Sequence, residues 1–377
     1  MEAPPLALYV HFPWCVKKCP YCDFNSHQSR GGIPEADYLA ALIADLDAAL
    51  PLLGGRTFAS AFFGGGTPSL MAAESVATLL SACRQRRLFA DDDVCEVTLE
   101  ANPGTVEAAK FAGFRAAGVN RLSLGIQSFD DAKLKALGRI HSAAEAHTAF
   151  ELAAAHFDNV NLDVMYALPE QTLDEAQRDI ETAIALGPTH ISAYHLTLEP
   201  NTPFHHAPPP LPDDDLAADM QDMVEETLAT AGYEHYETSA FARPGRQCRH
   251  NRNYWEFGDY LGIGAGAHSK LSQANGIVRD ARPRGPKEYL GDPASRSWQA
   301  VSNDELPFEF LMNALRLADG VSQALFERRT GLPLSIIEKS ALAARRDGLL
   351  EMADDRIRAT VRGRRYLNAL LRDFLPA

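Results

Sequence analysis

Short apolar runs alternate with longer amphipathic segments over the first two hundred residues of the chain. The apolar runs have the length of buried strands and lie at 6–12, 59–63, 94–99, 121–124, 160–165 and 190–196. The amphipathic segments are predicted to be helical and lie at 35–53, 74–87, 106–117, 130–157 (a helix pair) and 173–186. Because strands and helices alternate with short connections, the strands are predicted to be parallel, with helices crossing between them. Six such units predict an α/β fold, a partial (β/α)6 barrel.

A polar or glycine-rich motif is found at the C-terminal end of each predicted strand. In chain order these are the cysteines of 15–22, the loop 64–68 (Gly-Gly-Gly-Thr-Pro), 100–104 (Glu-Ala-Asn-Pro-Gly), 125–128 (Gly-Ile-Gln-Ser), Asp163 and His195. In barrels of this type the reactive face is the rim formed by the C-terminal ends of the strands. The sequence therefore predicts that its candidate functional groups share one rim.

Two further regions follow the predicted barrel, which takes up 1–205. Region 206–300 begins with a proline-rich linker, contains a predicted helix at 213–231 and a strand at 235–241, and is interpreted as an extension of the barrel. Region 301–377 is predicted to hold several helices and two short paired strands, the pattern of a small, mostly helical winged-helix-like domain. This region has 12 Lys or Arg and 11 Asp or Glu, and such a nearly neutral charge balance favours packing or partner contact over DNA binding.

The chain as a whole is acidic, with a net charge of −14, and 46% of its residues are apolar. The apolar content is sufficient for a large core, and the charge argues against nucleic acid or an anionic membrane as an electrostatically bound partner. The chain has no run of eighteen apolar residues, so no transmembrane helix is predicted. No export signal is recognised. We therefore expect a cytoplasmic protein, and we leave peripheral membrane contact and a homodimer open.

Three of the six cysteines, Cys15, Cys19 and Cys22, lie within eight residues, directly after the first predicted strand. Thiolates on such a short loop can hold three irons of a cubane 4Fe–4S cluster, which leaves the fourth iron open to a small molecule. A structural zinc site would need a fourth protein ligand, for which His11 and His27 are the nearby candidates. A disulfide framework is typical of small secreted chains and is disfavoured here.

The spacing C-x3-C-x2-C, with an aromatic residue before the last cysteine, resembles the signature of the radical S-adenosylmethionine (SAM) enzymes. The resemblance implies that the open iron binds the amino and carboxylate groups of SAM. It also implies that an electron from the reduced cluster splits the sulfonium to give a 5′-deoxyadenosyl radical. In such proteins the cofactor carries the chemistry, and the protein supplies orientation and protection. The partial barrel is the fold that this family implies.

Several segments also resemble those that surround SAM in the oxygen-independent coproporphyrinogen III oxidase branch of this family. Glycines let the backbone approach a ligand, and exposed N–H groups of the glycine loop can meet a carboxylate. The resemblance implies that the glycine loop contacts the amino end of SAM. It also implies that two tyrosines line SAM near the cluster and that four polar residues contact the methionine or ribose portion of SAM. The residues concerned are Gly65, Gly66, Thr67, Tyr9, Tyr21, Glu100, Gln127, Arg139 and Asp163. Each of the four polar residues can equally be a structural residue of the rim.

Two features separate the chain from the oxidase itself. The oxidase has a further cysteine two residues after the last cluster ligand, where this chain has Phe24, and it has an N-terminal extension before the position of Tyr9. In both respects the chain resembles the oxidase-like heme chaperones of the HemW family, whose H-N-x-x-Y-W motif matches residues 250–255. Imidazole is a common axial ligand of heme iron. His250 is therefore a candidate heme contact, although it can equally be a hydrogen-bonded structural residue.

The sequence thus predicts a heme carrier that also binds a 4Fe–4S cluster and SAM, and that delivers heme to acceptor proteins such as respiratory enzymes. Two enzymatic alternatives stay open. One is the oxidative decarboxylation of coproporphyrinogen III, and the other is radical chemistry on some other substrate. Whether the chain is an enzyme is undecided at this level.

Overall fold

The computed structural model describes residues 3–29, 31–90, 95–105 and 108–376. Its strands are β1 (Leu6–Phe12), β2 (Trp14–Cys15), β3 (His27–Gln28), β4 (Phe58–Gly65), β5 (Glu96–Ala101), β6 (Arg121–Gln127), β7 (Val160–Tyr166), β8 (His190–His195), β9 (Glu234–Glu237), β10 (Ala240–Ala242), β11 (Asp259–Ile263), β12 (His268–Gln273), β13 (Gly276–Ala281), β14 (Ser297–Ala300), β15 (Val321–Ser322), β16 (Leu350–Ala353) and β17 (Arg356–Ala359). Its α-helices are α1 (Glu35–Leu53), α2 (Ala73–Gln85), α3 (Ala108–Ala117), α4 (Asp131–Ala136), α5 (Ala143–Ala154), α6 (Leu173–Leu186), α7 (Pro203–His206), α8 (Asp214–Thr230), α9 (Arg249–Trp255), α10 (Pro286–Gly291), α11 (Leu306–Ala314), α12 (Gln323–Thr330), α13 (Glu338–Arg346), α14 (Val361–Arg365) and α15 (Leu367–Arg372). Short 3-10 turns lie at Pro68–Leu70, Pro103–Thr105 and Leu334–Ile337.

Six parallel strands form the middle of the main sheet, in the order β1, β4, β5, β6, β7 and β8. The connections between them carry α1, α2, α3, the pair α4 and α5, and α6. Burial is almost continuous along these strands, as expected for parallel strands covered on both faces. This arrangement confirms the predicted α/β partial barrel.

Local sequence signals set the ends of several helices. A capping box begins α5 at Ser142 and α6 at Thr172, because each hydroxyl accepts from the backbone of a glutamate that reaches back to the cap. Gly187 ends α6 in the left-handed conformation that glycine adopts without strain. The predicted strand start at Val94 and helix start at Val106 lie outside the described residues.

Strands on both sides extend the central six. β11 pairs in parallel with β1, from Leu6 opposite Asp259 to Val10 opposite Ile263, and β12, β13 and β14 continue outward in antiparallel order. On the opposite side, β10 and β9 form a hairpin that pairs antiparallel with β8. The hairpin occupies the predicted strand at 235–241. Strands β11 to β14 are not predicted by the apolar pattern, because they are short and interrupted by charged residues and glycines.

The C-terminal region folds around a core of its own, formed mainly by α11, α12, α13 and α15. A three-stranded sheet in the order β15, β17, β16 lies beside these helices, and β16 and β17 are the predicted strand pair. The last two helices, α14 and α15, meet at Tyr366. The region is a small, mostly helical winged-helix-like domain, as predicted.

Residues of region 206–300 contribute to both hydrophobic cores. Leu261 and Ile263 of β11 lie in the core of the main sheet, whereas Phe257 and Ile277 pack with the C-terminal helices. The predicted domain boundaries after 205 and 300 therefore stay predictions. Within the described ranges, none of the helices has both the length and the apolar character needed to cross a membrane.

Candidate functional site

The three cysteines lie at the mouth of a cavity formed by the C-terminal ends of the central strands. Cys15 ends β2, which pairs with β3 and so closes the loop that carries the other two cysteines. The backbone N–H of Cys22 donates to the carbonyl oxygen of Cys19 at 3.2 Å, which folds the loop into a tight turn. All three are free, half-buried thiols that line the same cavity. Three thiols facing one space fit the donor set that a 4Fe–4S cluster needs from a protein.

The residues predicted to bind SAM are brought together by the fold. All of them except Tyr9 line the cavity beside the cysteines. Tyr9 and His250 line a second cavity, deeper in the barrel, that shares Glu100, Gln127 and Asp163 with the first. The predicted set therefore forms one continuous site, with the cysteine loop at its outer end.

The glycine loop after β4 is bound to the backbone of the cysteine segment. The N–H of Gly66 donates to the carbonyl oxygen of Phe12 at 2.7 Å, and the N–H of Thr67 donates to that of Trp14 at 2.8 Å. A Cβ at Gly66 would lie 2.5 Å from the Trp14 oxygen, so only glycine allows this approach. The expectation that these N–H groups are free to meet a carboxylate is wrong for Gly66 and Thr67. The two N–H groups instead hold the segment that leads to Cys15.

Gly65 and Glu100 form the next part of the cavity wall. Gly65 has φ +111°, and a Cβ there would lie 2.5 Å from the ring of His11. Burial raises the pKa of Glu100 to about 8, with a further contribution from the nearby Asp163 carboxylate, and the Gly65 N–H opposes the shift by hydrogen bonding. Glu100 is therefore poised between its neutral and ionised forms, and a cationic or hydroxyl-bearing ligand would favour the ionised form.

Asp163 on β7 is held by neighbouring side chains. The hydroxyl of Ser123 donates to one carboxylate oxygen at 3.1 Å, and the amide of Asn161 donates to the other at 2.8 Å. Burial raises the pKa of Asp163, while these hydrogen bonds oppose the shift. The carboxylate is thus fixed in orientation at the boundary of the two cavities.

Gln127 occupies an uncommon backbone conformation at the end of β6. Its φ is +71°, and the register with β7 shifts between Gly125 and Gln127. A positive φ at a residue with a Cβ is strained and is often found where the surrounding structure positions a functional side chain. Because of this irregularity, the side chain of Gln127 lines the cavity and does not follow the regular in-and-out alternation of side chains along the strand.

Arg139 links the cysteine loop to the strand ends. Its guanidinium donates to the side-chain oxygen of Asn102 at 2.5 Å, to the carbonyl oxygen of Gly125 at 2.6 Å and to the sulfur of Cys19 at 3.7 Å. Asn102 in turn donates to the hydroxyl of Thr67 at 3.1 Å. Asn102 is a site residue that the sequence analysis did not single out, although it belongs to the motif 100–104 that follows β5.

The two tyrosines have different surroundings. The Tyr9 hydroxyl lies 3.1 Å from Nδ1 of His11, and its ring faces the deeper cavity. Tyr21 packs against Phe204, with ring centroids 6.3 Å apart, and hydrogen bonds with Arg139 and Cys19. Burial raises the pKa of both hydroxyls, so both are neutral at physiological pH. Each tyrosine can thus donate a hydrogen bond into the site.

His250 lies on α9 and is only 1% exposed. Its Nδ1 lies 3.1 Å from the hydroxyl of Ser60, its Nε2 lies 3.0 Å from the hydroxyl of Tyr254, and its ring stacks on Phe62 with centroids 4.9 Å apart. Burial lowers the pKa of His250 to about 3, so the ring is neutral. Because both ring nitrogens have partners and the residue is buried, direct ligation of heme iron by His250 would require one of these contacts to break and the iron to reach a buried ring.

A second asparagine missed by the sequence analysis connects distant parts of the chain. The side-chain amide of Asn25, at the end of the cysteine loop, donates to the carbonyl oxygens of Ala265 at 3.0 Å and Arg284 at 2.9 Å. A Cβ at Gly266 would lie 2.2 Å from this amide. The glycine-rich segment 262–268 therefore passes beside the cysteine loop. No local sequence signal identifies Asn25, because its partners are more than 200 residues away.

Two family models match the chain. The model of the radical SAM superfamily matches residues 9–183, and that of the HemN C-terminal domain matches residues 301–366. Among solved structures, coproporphyrinogen III oxidase (HemN) from Escherichia coli, described as a radical SAM enzyme, superposes with a TM-score of 0.82. It is 23% identical, and the match covers 99% of this chain and 91% of the other. At this identity the match establishes the fold.

Curated relatives match over nearly the whole chain. The heme chaperone HemW of Haemophilus influenzae is 49% identical, with 99% of each chain covered, and that of E. coli is 46% identical, with 100% and 99% covered. The mitochondrial radical S-adenosyl methionine domain-containing protein 1 of Bos taurus is 37% identical, with 98% and 87% covered. From these identities and from the shared fold, the chain belongs to the HemW family of the radical SAM superfamily.

Proposed function

We propose that this chain is a cytoplasmic heme chaperone, which binds heme and delivers it to heme-dependent proteins, respiratory enzymes among them. The observation that carries the proposal is the 49% and 46% identity to two relatives named heme chaperone HemW, over essentially full length. The matched regions span the barrel, the flanking strands and the C-terminal domain. The acceptors are proteins, and nucleic acid is not among the proposed partners.

The cysteine loop supports a carrier rather than the related oxidase. Phe24 occupies the position at which the oxidase has a further cysteine, and its side chain is 58% exposed. It borders the cysteine cavity and the deeper cavity. An exposed aromatic face can stack on a flat macrocycle, whereas it supplies none of the thiol chemistry that a cysteine there would add.

Within this proposal the chain also holds a 4Fe–4S cluster and SAM. Cys15, Cys19 and Cys22 would hold three irons, and SAM would occupy the adjoining cavity. A reduced cluster of this kind supplies an electron to the sulfonium of SAM. The residues proposed to contact SAM are Tyr9, Tyr21, Gly65, Gly66, Thr67, Glu100, Gln127, Arg139 and Asp163.

The chain's own groups define how that cofactor would be held. Glu100 and Asp163 offer carboxylate oxygens to ribose hydroxyls or to an ammonium group. Arg139 already donates to Cys19, Asn102 and Gly125. Its proposed role is therefore to fix the cluster loop against the SAM cavity, with a cation placed beside one ligand sulfur.

A paired assay tests the proposal. Protein reconstituted anaerobically with iron and sulfide is titrated with hemin, and the complex is then mixed with an apo-cytochrome b acceptor. We expect a heme absorption band to form on the chaperone and then to move to the acceptor. The same preparation, supplied with SAM, a reductant and coproporphyrinogen III, should leave the porphyrinogen unchanged. Conversion to protoporphyrinogen IX would overturn the proposal in favour of an enzyme, and failure to bind hemin would overturn it without favouring one.

A further inference from the structure

Heme iron needs an accessible ligand, and His250 does not offer one in this structure. Five of the twelve histidines are exposed: His156, His195, His205, His206 and His268. Of these five, His268 lines a cavity that opens beside the cysteine loop and that also contains Tyr254 of the H-N-x-x-Y-W motif. This cavity combines the chemical features that a heme requires.

Four parts of the fold supply the aromatic wall of the cavity. β1 contributes Tyr9, the cysteine loop contributes Phe24, α9 contributes Tyr254 and β11 contributes Tyr260. The volume of the cavity is about 420 Å³, within the range of about 300–1,000 Å³ found for small-molecule sites. Tyr254 and Tyr260 pack edge to face with centroids 4.6 Å apart, so contacts within the chain support this part of the aromatic wall.

His268 is presented to this cavity by a strand that is paired with its neighbour. It is the first residue of β12 and pairs with Ala281 of β13. A Cβ at Gly262 would lie 2.1 Å from the His268 carbonyl oxygen, so glycine at that position allows β12 to lie so close to β11. Across the described parts of the chain, neither ring nitrogen of His268 has a hydrogen-bond partner, and the residue is exposed. Its imidazole is therefore available to a metal.

Arg284 supplies a positive charge at the same cavity. Its neighbour Arg279 is paired with Glu309, and its neighbour Arg282 is paired with Asp45 and Asp280. Within the described ranges the Arg284 side chain has no acidic partner, and the residue is exposed, while its carbonyl oxygen is held by Asn25. An unpaired guanidinium on a chain of net charge −14 suits a carboxylate ligand, which it can bind through two parallel hydrogen bonds.

The geometry points to this cavity as the heme site, with His268 as the ligand of the iron, Phe24 and Tyr254 against the macrocycle and Arg284 paired with a propionate. The assignment rests on the proposed function and deepens it. The cavity shares Tyr9, Gly65 and Glu100 with the other two cavities, so bound heme would lie next to the SAM site. Because the cavity is open to solvent, one edge of the heme stays accessible to an acceptor.

Three ligands and matched variants test the assignment. Hemin, metal-free protoporphyrin IX and hemin dimethyl ester are titrated into the reconstituted protein and into His268→Gln, Arg284→Ala and His206→Ala. His268→Gln should bind hemin at least about tenfold more weakly, with a displaced heme absorption band and unchanged affinity for the metal-free porphyrin. Arg284→Ala should lose affinity for hemin but not for the ester. His206→Ala changes an exposed histidine outside the cavity and should bind all three like the unchanged protein.

Other results separate this inference from the proposed function. If the unchanged protein binds hemin but His268→Gln gives the same spectrum and affinity, the site assignment is wrong and the chaperone proposal stands. If His268→Gln also weakens the metal-free porphyrin equally, the residue does not ligate iron and the assignment again fails. Thermal unfolding of each variant establishes that it is folded. If the unchanged protein binds no hemin, the proposed function itself fails.

Discussion

Replacing Gly66 with alanine tests the contact that positions the cysteine loop. The added Cβ would lie 2.5 Å from the oxygen of Trp14 and 2.9 Å from that of Phe12. Both are backbone atoms, so no side-chain rotation relieves the overlap. The glycine loop and the segment leading to Cys15 must therefore separate.

The cost of this separation follows from the contacts that are lost. Two hydrogen bonds, from the N–H groups of Gly66 and Thr67, would break or stretch, at about 0.5–1.5 kcal/mol each. Overpacking at a close contact adds about 1–3 kcal/mol. The sum is about 2–6 kcal/mol against the docked arrangement, and a factor of ten corresponds to about 1.4 kcal/mol. We expect the docked loop to become a minor state.

Iron and acid-labile sulfide per chain, measured after anaerobic reconstitution, report on this loop. Gly66→Ala should lose most of its cluster and, with it, measurable SAM binding, while the barrel remains folded by circular dichroism. Gly291→Ala is the matched control, because a Cβ at Gly291 meets nothing within 4 Å. It should reconstitute like the unchanged protein. Full iron content and unchanged SAM affinity in Gly66→Ala would refute the reasoning.

Two further predictions concern buried charges. Asp45→Ala removes one of the two carboxylates paired with Arg282, whose side chain is 0% exposed, and should lower the free energy of unfolding by about 3–5 kcal/mol. Asp47 lies on the same helix as Asp45, and Asp47→Ala, which breaks its exposed pair with Arg86, should cost at most about 1 kcal/mol. Urea unfolding of both variants checks this, and equal losses would contradict it. Because the pKa of Glu100 is about 8, its ionised fraction rises from about pH 7 to pH 9, and SAM affinity measured by equilibrium dialysis should rise with it. Glu100→Gln should remove that rise, and an identical profile in both proteins would exclude Glu100 as a SAM contact.

Much of the barrel can be predicted from the sequence because parallel strands are buried on both faces. Their apolar runs are continuous, and the helices between them keep a regular amphipathic period. Helices α1 and α6 have the predicted bounds. The candidate site was found for a related reason, since the C-terminal ends of parallel strands share one edge and the motifs that follow them must meet there.

The rest depends on contacts between distant residues. Strands β11 to β13 bury the charged residues Asp259, Lys270 and Asp280, all at most 2% exposed, so their pattern resembles a polar loop. The binding of the glycine loop to Phe12 and Trp14 is a contact between backbones, which side-chain identity does not encode. The environment of His250 depends on Ser60, which lies 190 residues earlier in the chain.

The parallel pairing of β11 with β1 has a consequence for biogenesis. A ribosome releases β1 long before residue 259 exists, so the first strand has one edge without its neighbour during most of translation. The loop with the three cysteines is likewise not fastened by Asn25 until Ala265 and Arg284 have been made. Insertion of iron and sulfide into a finished pocket must therefore wait for the last third of the polypeptide. A truncated product that stops after the sixth central strand would leave the outer edge of β1 unpaired and should aggregate.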